Sequence, residues 1–263
     1  MLNSADQILF RASSMGKIMT NGRGSKEMGD TCIKEMISIF AREFYGRRQE
    51  IKSKYLEKGN EREEDSITLL SRYDKRFYKK NDKRLNNLFF TGEPDIFIGQ
   101  SIENADETDD TKSSWSLMTF LEARNSKTLD SSYFYQGQVY MNLTGAKQHT
   151  VAYCLVNGTA SQIMKEKKAL LWDLGETDPV YKEKCKQIEI NHIFDLEAFI
   201  NENPFFEFDN EVEEWIYDIP MEQRIHKVTF PRDESVIAEM QGRVTMCRAW
   251  MNQNLFKNSL VAA

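Results

Sequence analysis

The run His149–Val156, HTVAYCLV, most constrains the fold. It is β-branched, aromatic and aliphatic, too short for a buried helix, and closed by the turn pair Asn157-Gly158, so it reads as a strand. Helical periodicity lies on both sides of it. Met28, Cys32, Met36, Ile37, Phe40 and Phe44 recur at helical spacing within Lys26–Tyr45, and Tyr55, Leu56, Ile67, Leu69 and Leu70 do so within Ile51–Tyr73. Leu88–Phe90 and Ile96–Ile98 read as a strand and its return strand across the turn Gly92-Glu93-Pro94. Ser131–Thr144, Ser161–Asp173, Val180–Glu189 and Asp195–Asn203 read as helices, and Lys227–Phe230 as a strand. Pro231 then opens a long helix to about Phe256, because a first-turn proline forfeits only an N–H that would be unpaired anyway. Helices, central strands and helices in this order predict one α/β domain with helical decoration.

The four cysteines, Cys32, Cys154, Cys185 and Cys247, show no zinc-knuckle spacing and suggest a reducing compartment. There are only three histidines and no H-E-x-x-H, which argues against a histidine-built metal site. Met1–Ala12 lacks the pattern of a signal peptide, and no window approaches the ~20 apolar residues of a bilayer span, so the expected location is the cytoplasm, without membrane contact. The chain has 35 basic and 41 acidic residues, which at first argues against a polyanionic partner. The distribution is uneven. Ala41–Arg84 holds 14 Lys and Arg against 9 Asp and Glu, whereas Asp195–Glu222 holds ten acids and no Lys or Arg. The acidic stretch reads as a solvated surface. The run Arg72, Lys75, Arg76, Lys79, Lys80, Lys83, Arg84 reads as a solvated face or a phosphate track. Trp172, Trp215 and Trp250 read as core or interface anchors.

Three short segments carry chemistry when taken together: Gly59–Asp65 on a helix, Gly92-Glu93-Pro94-Asp95 at a strand turn, and Asp110-Thr111-Lys112. Mg2+ takes oxygen ligands, binding through one or two carboxylates and substrate phosphate. Asp95 at one strand end and Asp110 on its neighbour would converge on such a cation, with the Thr111 carbonyl as a further oxygen. Strand alternation puts Lys112 on the face of Asp110, where its ammonium would orient or help deprotonate an attacking water. Glu63 would hold a second metal or its hydration shell. Glu61 and Glu64 compete for that role, and Asp109 competes with Asp110 but would face the other way.

These segments resemble the PD-(D/E)XK nuclease superfamily and, within it, the YqaJ-type, lambda-exonuclease-like viral recombinases. The resemblance covers most of Phe10–Asn157. Arg11-Ala12-Ser13-Ser14 is similar to the early A-S motif, Gly59 with Glu63 to G-x-x-x-E, Gly92–Asp95 to G-x-P-D, Asp110–Ser113 to D-x-K-T/S, and Gln136–Tyr140 to Q-x-x-x-Y, continued by Tyr140–Gly145. The resemblance implies a restriction-endonuclease-like core, a central mixed sheet flanked by helices, in a single domain whose motif-bearing part spans about 10–157 and whose helical C-terminal extension spans about 158–263. It implies a Mg2+-dependent deoxyribonuclease, with Mn2+ as a substitute, that resects double-stranded DNA ends 5′→3′ for phage-type recombination in a bacterial host. Asp95, Asp110, Thr111 and Glu63 would hold the metal, Lys112 would activate water, and Gln136 and Tyr140 would position the site. Arg11, Ser13, Ser14 and Tyr140 would touch DNA. The implied partners are a single-strand annealing protein and further copies of the chain in a ring. The cysteines lack the C-terminal cluster of the iron–sulfur relatives.

One departure stands out. Ala105–Asp110 is polar where the family has aliphatic residues, which predicts a short or partly exposed strand. It motivates a rival reading as an inactive DNA-binding scaffold of the same fold. A structure-specific endonuclease is a third.

Overall fold

In the computed structural model, residues 4–24, 27–48, 58–59 and 61–257 are described. The expected Ile51, Tyr55 and Leu56 helical positions, and Lys26 at the start of the preceding helix, lie outside them. In chain order the elements are β1 (Phe10–Arg11), α1 (Met15–Ile18), α2 (Asp30–Tyr45), α3 (Glu63–Tyr73), β2 (Leu85–Asn86), β3 (Phe90–Gly92), β4 (Ile96–Gly99), β5 (Ala105–Ser113), α4 (Leu117–Asn125), α5 (Ser131–Thr144), β6 (Gln148–Cys154), α6 (Ala160–Leu174), α7 (Tyr181–His192), α8 (Leu196–Glu202), β7 (Ile225–Pro231) and α9 (Glu234–Met251). No helix among the described residues is long and apolar enough to cross a membrane.

The main sheet is mixed, in the order β4-β5-β6-β7, with β5 and β6 parallel and both outer pairs antiparallel. A small second sheet has the order β1-β3-β2. The expected hairpin across Gly92–Pro94 is therefore not formed. β3 pairs with β1 and β2 in the small sheet, while β4 pairs with β5 in the main one. Short apolar runs mark strands but carry no information about partners, which are chosen by distant chain.

β5 is nine residues long and central, so it is not short; it is partly exposed, as expected, at Asp106 and Glu107, whereas Thr108–Thr111 are buried. Its buried threonines find partners from distant segments, while Asp109 Oδ1 and Asp110 Oδ2 make no hydrogen bond among the described residues. Thr108 Oγ1 bonds His149 Nδ1 at 2.8 Å, and Thr111 reaches Asp95. A buried polar strand is tolerable when its groups are satisfied in this way.

Helix α5 crosses between the two sheets. Asp130 caps it by accepting from the Ser132 N–H, and Gly145, in the left-handed region at φ 83°, stops it. Its middle presses on the main sheet. A Cβ on Gly137 would stand 2.3 Å from His149 Cδ2 and 2.6 Å from Phe230 Cζ, so only glycine permits this approach. That contact places the preceding residue, Gln136, over β5.

The largest core cluster joins the two ends of the described chain: Phe10, Met15 and Ile18 pack with Met36 and Ile39 of α2 and with Met240, Val244 and Cys247 of α9. Arg248 on α9 donates to the carbonyls of Ile8 and Leu88 at 2.8 and 2.7 Å. Helices α6–α8 decorate the core, whereas β7 and α9 are part of it. Pro231 ends β7 and does not open the helix; Asp233 caps α9 by accepting from the N–H groups of Ser235 and Val236. Trp172 is 80% exposed and anchors nothing in the chain, while Trp215 and Trp250 are half-buried against apolar clusters. The stretch Asp195–Glu222 is more than solvated surface. Asp195 pairs with Arg224, Glu202 with Arg62, and Asp209 with Lys167, at 2.9, 2.7 and 2.6 Å.

Candidate active site

The β4–β5 register opposes Ile96 to Asp109, so Asp95, one residue earlier, lies beside Asp110. Asp110 is buried, and Asp95 is half-buried at the cleft wall. Asp95 Oδ2 accepts from the Thr111 N–H at 2.7 Å and from the Thr111 hydroxyl at 3.0 Å. Burial, and then the neighbouring Asp110 charge, push the Asp95 carboxyl up to about 8. Two residues along β5 the Lys112 ammonium forms an ion pair with Asp110. The pair is an approach of charges and not an aligned hydrogen bond, and it leaves the buried Asp110 Oδ2 without a hydrogen-bond partner. Burial pulls the Lys112 ammonium down, but Asp110 and Asp95 outweigh it and hold its pKa above the usual lysine value.

Lys112 is held from above by α5. Its ammonium donates to Gln136 Oε1 at 3.5 Å and lies 4.8 Å from the centre of the Tyr133 ring. Gln136 Nε2 in turn donates to the Tyr140 hydroxyl at 2.8 Å. Tyr140 is only 4% exposed and props Gln136 from inside the fold, the positioning role expected of it.

A cleft of about 540 Å3 opens on this constellation and is lined by Ser13, Glu63, Asp95, Thr111, Lys112 and Gln136 among others. Glu63 stands in the first turn of α3, where its carboxylate pairs with Lys80 at 3.2 Å. Its exposed neighbours Glu61 and Glu64 do not line the cleft. Asp109 faces away, toward Glu107, Lys227 and Asp74; burial first, and Glu107 second, push it up to about 8. Of the early motif, Ser13 is exposed at the cleft. Ser14 is buried and donates its hydroxyl to Glu35 at 2.7 Å. Arg11 is in a separate depression with Arg84 and Glu43, outside the cleft.

Two features of the wall escaped the sequence reading. Lys58 is fully buried, donates to the Trp115 carbonyl at 3.0 Å, and lies 5.6 Å from the centre of the Phe194 ring; burial, then the Arg62 charge, lower it to about 7. It thereby fixes the connection after β5 that forms one side of the cleft. Arg62 is buried behind Glu63 and donates to Asp65, Glu202 and the Gly158 carbonyl. Buried cations of this kind are invisible in a sequence where Lys and Arg are mostly surface residues.

The donor set suits a hard divalent cation. Two adjacent carboxylates, Asp95 and Asp110, repel, and no thiol or imidazole lines the cleft. No three His, Cys, Asp or Glu side chains among the described residues form a ready metal cage. Mg2+ needs no such cage, since it keeps waters and takes only one or two carboxylates beside substrate phosphate.

No known protein-family profile matches this chain. No curated protein matches it either. Its fold is shared with solved exonucleases. A phage-related exonuclease from Haemophilus somnus superposes with a TM-score of 0.65 at 24% identity, covering 96% of this chain and 97% of the other. An alkaline exonuclease from Laribacter hongkongensis gives a TM-score of 0.57 at 13% identity, over 95% of this chain and 90% of its own. The structure of that enzyme in complex with dAMP gives 0.56 at 14% identity over the same shares. The likeness extends over nearly the whole chain, which agrees with the α/β nuclease-type core expected from the motifs.

Proposed function

We propose that this chain is a divalent-metal-dependent deoxyribonuclease that hydrolyses phosphodiester bonds at duplex ends. The observation that carries the reading is the meeting of Asp95, Lys112 and Gln136, from separate segments, in one cleft, with Asp110 paired to Lys112 behind it. The exonuclease fold of the neighbours supports it, and the dAMP bound to one of them supports a nucleotide as the group the cleft receives. Mg2+ or Mn2+, when bound, would lower the pKa of a bound water and offset phosphate charge. Asp95 and Asp110 would hold it, with the Thr111 carbonyl as a further oxygen and Glu63 once Lys80 releases it. Lys112, kept protonated by its two carboxylates, offers a positive charge to the attacking water and the scissile phosphate. Gln136, braced by Tyr140, fixes where that ammonium points, and Ser13 at the cleft mouth offers a hydroxyl to phosphate. 5′→3′ polarity, a role in phage-type recombination, a single-strand annealing partner and a ring of subunits belong to the same proposal through the motif resemblance.

The test is digestion of end-labelled duplex with Mg2+ and with chelator, beside covalently closed circular DNA. The expected result is metal-dependent loss of the linear substrate and survival of the circle. Cleavage of the circle would favour the endonuclease reading, and no cleavage of either would leave a DNA-binding scaffold.

A further inference from the structure

Beside the cleft, residues 74–84 connect α3 to β2 and carry Arg76-Phe77-Tyr78-Lys79-Lys80. The segment is firmly held. The Tyr78 hydroxyl donates to Asp74 at 3.0 Å, and the Tyr78 N–H donates to Ser71 Oγ at 3.1 Å. Buried Asn81 donates its side-chain amide to the carbonyls of Pro94 and Lys83 and its N–H to the Asp95 carbonyl. Its frame is thus bonded to the strand entry that bears Asp95. On that frame Phe77 stands 87% exposed. It borders a groove of about 530 Å3 that also presents Arg76, Lys79 and Lys80, with Asp82 and a Lys83–Glu103 ion pair along its far side. The groove meets the cleft where the Lys80 ammonium reaches Glu63 at 3.2 Å. One exposed apolar residue is ordinary on any surface. An exposed phenyl ring on a fixed frame, flanked by cations and adjoining a nuclease-type cleft, has the composition of a site where a base stacks while its backbone is neutralised.

We infer that this groove binds single-stranded DNA, with Phe77 stacking on a base and Arg76 and Lys79 contacting phosphates. The inference rests on the nuclease reading for the source of that strand, the unpaired DNA bordering a duplex end under digestion. The base face selects single strands, because in a duplex it is covered by its neighbours.

The test is fluorescence anisotropy of a labelled oligothymidine, in chelator so that nothing is hydrolysed, with a blunt duplex as comparison. Phe77→Ala should weaken oligothymidine binding about five- to 150-fold and duplex binding far less. Phe77→Trp should restore it. Lys79→Ala should reduce the slope of log affinity against log salt by about 0.7. Phe77 is exposed, so the variant should melt with the parent chain, which a thermal scan checks. Unchanged oligothymidine affinity in Phe77→Ala, or an equal loss on blunt duplex, overturns the assignment. A chain that digests duplex ends but ignores Phe77 overturns this inference alone. One that binds through Phe77 without digesting anything sustains it and overturns the nuclease reading.

Discussion

Replacing Asp95 by Asn separates stability from function in the cleft. The amide oxygen still accepts from the Thr111 N–H and hydroxyl, so the shape is kept and only the charge goes. Burial first, then Asp110, raise the Asp95 carboxyl from an ordinary 3.8 to about 8. Between those values the folded protein holds a proton that the unfolded chain has released. Stability from this group therefore falls as pH rises through the window and is flat above it, the reverse of the usual carboxylate. One pH unit is worth about 1.4 kcal/mol, so a span of about four gives a ceiling near 6 kcal/mol. Water entering the open cleft screens part of this, and ~2–4 kcal/mol is the expected gain for Asp95→Asn above pH 8. For a chain of this size that is roughly 4–10 °C in melting temperature. Thermal melts in chelator at pH 4.5 and pH 8.5 measure it. The gap should be small at the lower pH and full at the higher, and Mg2+ should stabilise the parent more than the variant. The variant should not digest DNA. An Asn variant that follows the parent's pH dependence, or melts lower at pH 8.5, would refute the argument that an uncompensated carboxylate sits there.

Other perturbations test the surrounding frame. Lys112→Met should reduce duplex digestion by roughly 100- to 1,000-fold, as loss of a preorganised charge does elsewhere, while gel-shift affinity for duplex stays near that of the parent. Full digestion would remove Lys112 from the mechanism. Tyr140→Phe takes away the acceptor of Gln136 Nε2, and a loss of about 1 kcal/mol in orientation should appear as a roughly fivefold lower kcat with little change in KM. A drop in melting temperature with kcat intact would mean that the bond serves only the fold. Gly137→Ala should lower stability in urea by about 1–3 kcal/mol or more, because its Cβ would overlap His149 and Phe230. A neutral result would show that α5 has room to lift from the sheet.

The residues of the cleft were legible because catalysis ties residue types to short spacings. Asp110 and Lys112 share a strand face, and Gln136 and Tyr140 share a helix face, so local periodicity already puts each pair together. What joined those pairs was not legible. The apolar runs at 88–90 and 96–98 announced strands, yet their partners, β1 for one and β5 for the other, are set by contacts far along the chain. The polar face of β5 looked solvated because the groups that satisfy it, Asp95 and His149, come from other strands. Ser14 and Tyr140 carried the right motif letters, but only packing shows that their hydroxyls point at Glu35 and Gln136. The same holds for Lys58, whose burial depends on Trp115 and Phe194 closing over it.

The packing of α9 against β1, α1 and α2 sets a timetable for biosynthesis. A ribosome releases the motif-bearing residues first, but the core under them lacks Met240, Val244 and Cys247 until α9 emerges. The free edge of β6 likewise waits for β7. At about 5–20 residues per second, the interval from Cys154 to Ile225 lasts roughly 3–14 s. A ribosome that stalls in this interval would leave a fragment with an open strand edge and an incomplete core, a target for chaperones and proteases.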